Sequence, residues 1–186
     1  NDGDKDLYIV SGGNEFEPNT PILKDRLYVN DGKGLFSFDD NSLPNNFSSG
    51  MRVSAEDYDK DGDLDLFVGG RVVPGSYPLP AESFLLENIT NDNGIKFKNA
   101  DESIFSYKEI GLVTSSVWTD YNDDGWTDLI VVGEWTPIKF YKNIEGKFSE
   151  DTSLIDVDST RGWWYDIVAE DFDKDGDMDL VIGNLG

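Results

Sequence analysis

Three stretches of this chain repeat one acidic pattern around a glycine. They are Asp57-Tyr58-Asp59-Lys60-Asp61-Gly62-Asp63-Leu64-Asp65, Asp120-Tyr121-Asn122-Asp123-Asp124-Gly125-Trp126-Thr127-Asp128 and Asp171-Phe172-Asp173-Lys174-Asp175-Gly176-Asp177-Met178-Asp179. A shorter stretch, Asn1-Asp2-Gly3-Asp4-Lys5-Asp6, fits the last six positions of the same pattern. Carboxylates at alternate positions around a turn glycine are the donor set of a hard, oxygen-seeking cation. The pattern also dictates a modular fold. Gly62, Gly125 and Gly176 stand 63 and 51 residues apart, and Gly3 precedes Gly62 by 59, which is the spacing of a repeat architecture. A chain that opens inside a motif is expected to be a piece of a longer array.

Each acidic stretch runs into a short apolar segment: Leu7 to Val10, Leu64 to Val68, Leu129 to Val132 and Leu180 to Ile182. These are of strand length, rich in Val and Ile, and close near Gly12, Gly69, Gly133 and Gly183. The three complete loops also follow strand-like segments, Arg52 to Glu56, Val113 to Thr119 and Trp164 to Glu170. Each complete loop therefore joins two strands of a hairpin. Third strands are read at Arg26 to Val29, Phe84 to Glu87 and Ile138 to Lys142, and fourth strands at Leu35 to Phe38, Ile95 to Lys98 and Lys147 to Ser149. Asn30-Asp31-Gly32-Lys33-Gly34 and Asn143-Ile144-Glu145-Gly146 supply turns between them.

Four antiparallel strands repeated in this way describe the blade of a β-propeller. The expected fold is all-β, a partial β-propeller of about three four-stranded blades with cation-binding hairpin loops. Residues 1–186 form one such unit, with repeats at approximately 1–50, 51–111 and 112–162 and the start of another at 163–186. Helical solenoids are excluded, because no segment keeps a helical period for three turns. A β-sandwich is the runner-up, which accounts for the strands but not for the near-identical loops.

Composition narrows the function. With 38 acidic against 15 basic residues, the formal charge is −23. That excludes nucleic acid and anionic membrane surfaces as partners and suits cation binding. Aromatic residues make up 13% of the chain, too many for a disordered acidic segment. There is no cysteine and no histidine, which removes disulfides, thiolate zinc sites and the commonest general base. No apolar run reaches the roughly 20 residues of a membrane span.

In each complete loop the first, third, fifth and ninth positions supply side-chain ligands, and the seventh its backbone carbonyl. The sets are Asp57, Asp59, Asp61 and Asp65 with the carbonyl of Asp63; Asp120, Asn122, Asp124 and Asp128 with that of Trp126; and Asp171, Asp173, Asp175 and Asp179 with that of Asp177. All donors are oxygen, which favours Ca²⁺ over Zn²⁺, Cu²⁺ or Mg²⁺. About three ions are expected, one per complete loop, and the short copy, with Asp2 and Asp6, binds poorly. An EF-hand would need a Glu at position twelve between two helices. Here that position is Val68, Val131 or Ile182, so the loop is a hairpin clamp.

These loops, each followed by a strand and a glycine, resemble the FG-GAP or VCBS repeat of integrin α-chain β-propellers and of many bacterial secreted proteins. Three further stretches resemble bacterial VCBS-repeat proteins related to cartilage acidic protein 1: Gly69 to Pro80, Val132-Gly133-Glu134-Trp135-Thr136-Pro137-Ile138 and Gly183-Asn184-Leu185-Gly186. The resemblance implies an extracytoplasmic, calcium-binding propeller used for adhesion or scaffolding, whether extracellular, on the cell surface or periplasmic. The expected function is thus a non-catalytic interaction module with a protein or glycan ligand. The alternative is a carbohydrate-binding or polysaccharide-degrading propeller. Open blade edges make a homo-oligomer a further expectation.

Other residues invite weighing. Trp163, Trp164 and Tyr165 have the chemistry to stack on a sugar, and packing between blades is the plainer reading. Trp118, Trp126 and Trp135 are read the same way. The segment Arg71 to Pro80 is a rigid, Pro- and Gly-containing loop of the kind that presents partner-binding groups. Arg71 within it suits an anion or, more simply, a neighbouring carboxylate. Asn46-Phe47-Ser48 and Asn88-Ile89-Thr90 match a glycosylation pattern that arises readily by chance.

Overall fold

Every apolar run that follows an acidic loop is a strand, and so is every segment that precedes a complete loop. The computed structural model describes residues 3–92, 94–154 and 156–185, and among these residues there is no α-helix. Asp2 of the short motif copy and Gly186 of the closing stretch lie outside the described residues.

The first sheet is β1 (Leu7–Ile9), β2 (Arg26–Asn30) and β3 (Phe36–Asp39), in that order. The second is β4 (Gly50–Glu56), β5 (Asp65–Gly70), β6 (Phe84–Asn88) and β7 (Phe97–Asn99), again in chain order. The third contains β8 (Leu112–Thr119), β9 (Asp128–Thr136), β10 (Lys139–Ile144) and β11 (Lys147–Glu150). All pairings are antiparallel, as short turns between consecutive strands require.

The last hairpin adjoins the third sheet through two residue pairs. Its strands β12 (Gly162–Glu170) and β13 (Asp179–Asn184) join the third sheet, which has six strands. The cause is a mismatch of lengths. On one edge β8 pairs with β9 as far as Glu134, but on the other β10 pairs only with Leu129 to Val131, so the end of β9 runs past it. Gly162 and Trp163 of β12 take up the vacant backbone positions opposite Thr136 and Glu134.

Side chains fill the space between successive sheets in three clusters. Leu27, Leu43, Val68, Leu86 and Phe97 lie between the first and second. Tyr58, Phe67, Leu85, Phe105, Val113, Leu129, Val131, Tyr141 and Phe148 lie between the second and third. Ile130, Val132, Ile138, Phe140 and Ile167 face the last hairpin. Strand β9 therefore buries alternate residues on opposite faces, which explains its unbroken run of Leu129, Ile130, Val131 and Val132. Trp118 and Trp164 pack against these clusters, and the Trp164 indole donates to the Thr160 carbonyl at 2.8 Å.

The loop-preceding strands share a further device. Each has a bulge near its start, where Met51, Thr114 and Tyr165 are the extra residues. There the sheets approach so closely that only glycine fits. A Cβ on Gly69 would stand 2.5 Å from Val113 Cγ1, and one on Gly12 would stand 2.3 Å from the Gly50 carbonyl oxygen. Gly12 and Gly69 are thus spacers between sheets. We expect Gly69→Ala to cost about 1–3 kcal/mol in urea unfolding. Val113→Ala in the same chain should recover part of that loss, and additive losses would refute the contact.

Candidate metal loops

The three complete loops share one backbone course. Their glycines have positive φ: 96° at Gly62, 85° at Gly125 and 104° at Gly176. Two residues earlier, Lys60, Asp123 and Lys174 are also left-handed, with φ of 64°, 56° and 65°. Nothing in the motif marks that fourth position, and Lys is an unusual occupant of it. In each loop the glycine N–H donates to the first aspartate, Gly62 to Asp57, Gly125 to Asp120 and Gly176 to Asp171. The fifth-position carboxylates accept from the seventh-position N–H groups of Asp63, Trp126 and Asp177. The loops are therefore shaped by their own hydrogen bonds.

Carboxylate oxygens meet in two groups among the described residues. Asp57, Asp59 and Asp61 form one, Asp171, Asp173 and Asp179 the other, each within 4.8 Å of one another. Asp65, the ninth residue of the first loop, is buried at the foot of its loop with 2% exposure. Its Oδ2 and the Oδ1 of Asp57 are both buried without a hydrogen-bond partner. Unpaired carboxylate oxygens are costly in that setting. Burial first, then the charges of Asp59, Asp61 and Asp57, push the Asp65 carboxyl up to about 7. In the third loop, Asp175 and then burial raise the pKa of Asp177.

The second loop is arranged differently. The Asn122 amide donates to Asp128 Oδ2 at 2.7 Å, and Lys142 Nζ sits 3.0 Å from Asp124 Oδ2. Burial opposes ionisation of Asp124, yet the Trp126 N–H and Lys142 outweigh it and its pKa is lowered. The expected set of Asp120, Asn122, Asp124 and Asp128 is thus internally neutralised rather than gathered around an open centre. Lys60 adds to this, its ammonium standing 4.0 Å from the centre of the Trp126 ring.

One set of residues was not foreseen as part of the site. The backbone N–H groups of Asn30, Asn88 and Asn143 donate to Oδ1 of Asp6, Asp65 and Asp128 at 2.8, 2.8 and 2.7 Å. Their side-chain amides donate to the carbonyls of Lys5, Leu64 and Thr127, the residues just before those aspartates. Each asparagine thus locks the ninth position of a loop to the end of the third strand. The available signal was an Asn at the end of every third strand, which the turn reading at Asn30 and Asn143 absorbed. The Asn88 amide, also the acceptor of the glycosylation pattern, donates to the Leu64 carbonyl at 3.1 Å.

Asn143 reaches further. Its amide also donates to the carbonyl of Tyr58 at 2.8 Å, inside the first complete loop. It is fully buried and so couples the first two complete loops. Asn143→Ala strands two buried carbonyls and a turn N–H, and we expect a loss of about 2–4 kcal/mol in chemical denaturation. Asn88→Ala, whose amide bond is exposed, should cost less; equal losses would remove the coupling role.

Among the described residues no helix is long and apolar enough to cross a membrane. The family model of the FG-GAP-like repeat matches residues 1–68 and 120–182, more than half of the chain. Each matched segment runs from one acidic loop through the next loop and into the strand after it. The segment between them contains the Arg71 to Pro80 loop. No curated protein matches the chain closely enough to count as a relative.

Proposed function

Because this chain belongs to the FG-GAP-like repeat family, we propose that it is a calcium-stabilised, non-catalytic interaction module of a secreted or cell-surface protein. The family supports a β-propeller-like repeat module. On that reading β1–β3 are the last three strands of one blade, β4–β7 and β8–β11 are two whole blades, and β12–β13 open another. The stretches from Gly69 to Pro80, Val132 to Ile138 and Gly183 onward support a nearer kinship with bacterial VCBS-repeat proteins related to cartilage acidic protein 1. An extracytoplasmic setting, where free Ca²⁺ is abundant, accompanies that kinship.

The observation that carries the calcium reading is the first loop. Its three clustered carboxylates, with two buried oxygens lacking partners, have the donor chemistry of an oxygen-ligated cation. Asp57, Asp59, Asp61 and Asp65 would hold the ion, with the Asp63 carbonyl completing the set. In the third loop Asp171, Asp173, Asp175 and Asp179 would do so, with the carbonyl of Asp177. The ion would neutralise like charges that burial forces together. In the second loop an ion would have to displace Lys142 and turn the Asn122 amide over, so that site should be the weakest of the three. The role is structural, because each loop closes a hairpin. A ligand that binds only the folded chain stabilises it by about 2.7 kcal/mol when present at 100 times its Kd. EDTA should therefore lower the melting temperature and Ca²⁺ restore it, with Asp65→Asn shrinking the shift far more than Asn122→Ala. A melting curve indifferent to both EDTA and Ca²⁺ would overturn the proposal.

The last hairpin exposes one pair of valines. Val168 and Val181 pair across its strands and are 49% and 52% exposed. A second copy laid against this face would bury them as Val131 is buried in the third sheet. Light scattering after size-exclusion chromatography should show association that Val168→Lys abolishes; a clean monomer at high concentration would count against it.

A further inference from the structure

We propose that the end of the molecule opposite the acidic loops carries a glycan-binding platform built from Trp135, Tyr77 and Trp163, with the ion pair Arg71–Glu134 beside it. Strand β9 connects the two ends: Asp128 lies at its loop end and Trp135 near its other end, roughly 23 Å away at about 3.3 Å per residue.

Trp135 is the residue least explained by folding. It is 55% exposed and has φ of 55°, a left-handed backbone that a bulky side chain strongly disfavours. It occupies a bulge: Glu134 and Thr136 face the adjacent residues Trp163 and Gly162, leaving Trp135 as the extra residue. Bulges re-aim side chains and gather beside functional sites. Strain kept at an exposed position is a pointer to binding, since Gly or Asn would fit the same backbone at less cost.

The surroundings hold this ring still. It rests on the Trp163 ring, with centroids 5.2 Å apart, and its indole N–H donates to the Tyr77 hydroxyl at 2.6 Å. Tyr77 is 53% exposed and belongs to the Arg71 to Pro80 loop. That loop is braced by backbone bonds from Val73 to Leu79, Ser76 to Val73 and Leu79 to Ser76. The Gly75 N–H also donates to the Asn14 side chain at 2.8 Å. Two exposed aromatic rings are thus presented in a fixed relation, which spares a ligand the cost of ordering them.

The polar groups nearby favour a sugar over other flat ligands. Arg71 is ion-paired with Glu134, whose carboxylate is 2% exposed. Arg71 Nε is buried without a partner. Lys139 pairs with Glu150 at 3.4 Å. Pro78, Glu134, Trp135, Lys139 and Arg161 line one cleft of about 510 Å³. Donors and acceptors therefore sit side by side next to an apolar ring. A pyranose uses both kinds of group at once: its C–H face stacks on the indole and its hydroxyls bridge the charged pairs. A proline ring would use the indole but leave the ion pairs idle. Trp164, by contrast, is packed in the core and has no part in the platform.

The test titrates the chain, in buffer containing Ca²⁺, with cello-, xylo-, manno-, malto- and chitooligosaccharides and with pectin fragments, followed by tryptophan fluorescence and calorimetry. At least one saccharide should bind. Trp135→Asn should weaken it by about tenfold or more, while the melting temperature stays level or rises as the backbone strain is relieved. Tyr77→Ala should also weaken it, and Phe38→Ser, in the first sheet, should leave it unchanged. The proposal is overturned if no saccharide binds, if Trp135→Asn binds as well as the parent chain, or if a proline-rich peptide is the ligand that Trp135 captures. A melting temperature lowered by Trp135→Asn would assign the ring to packing and overturn it as well.

Discussion

The bond on which this architecture rests joins an aspartate to the next hairpin. In each described repeat that contains a third strand, the ninth-position carboxylate of the loop accepts the backbone N–H of an asparagine, Asp6 from Asn30, Asp65 from Asn88 and Asp128 from Asn143. The asparagine amide then caps the preceding carbonyl. A charge-assisted bond of this kind is stronger than an ordinary amide bond. It fixes the loop relative to the sheet whether or not a cation is present. It also consumes one carboxylate oxygen and leaves the other facing the loop. The same aspartate is thereby both a structural anchor and a candidate ligand.

This dual role shapes how the chain bears its charge. Most of its carboxylates stand in solvent, where repulsion is screened. Those at the foot of the loops do not. Burial raises Asp65 to about 7 and Asp128 to about 6, with neighbouring aspartates adding to the effect. The first two loops relieve that pressure differently. The first gathers three carboxylates and leaves two oxygens unpaired. The second recruits Lys142, and it turns an amide donor toward Asp128 because its third position is Asn122 instead of aspartate. Two side chains, Asn122 and Lys142, thus separate a loop with the chemistry of a cation site from one that largely satisfies itself.

Much of this fold was legible in the sequence because two signals were strong and local. Runs such as Leu129 to Val132 are buried on both faces, so they read as strands without help from distant residues. The loop glycines need positive φ, so they read as turns. Position twelve placed Val68, Val131 and Ile182 in strands, and β5, β9 and β13 contain them. What could not be read depends on other strands. The left-handed Lys60 and Lys174 follow from loop closure, not from lysine's own preference. The third-strand asparagines look like turn residues until their partners are placed. The union of β12 with β9 follows from β9 outrunning its pairing with β10, a difference in strand length that no composition reveals. Trp135 reads in sequence like the packing tryptophans, because its exposure is set by a bulge formed with Gly162 and Trp163.

That bulge and the acidic loops lie at opposite ends of the same strand, and this has a consequence for how the molecule can work. Between them β9 is almost wholly buried, with Leu129 to Val132 at 0% exposure and packed against both neighbouring layers. A close-packed strand of this kind has low compressibility and transmits strain along its length. Filling or emptying the loops should therefore change how firmly the sheets, and with them the backbone at Trp135, are held. The glycine spacers act in the same sense, since Gly12 and Gly69 meet the neighbouring sheet without slack. The repeat separates a stabilising end, where charge is concentrated, from a presenting end, where aromatic rings and paired charges are exposed. Because the first end depends on the repeated motif and the second on an insertion and a bulge, the presenting surface can vary between repeats while the clamp beneath it stays the same.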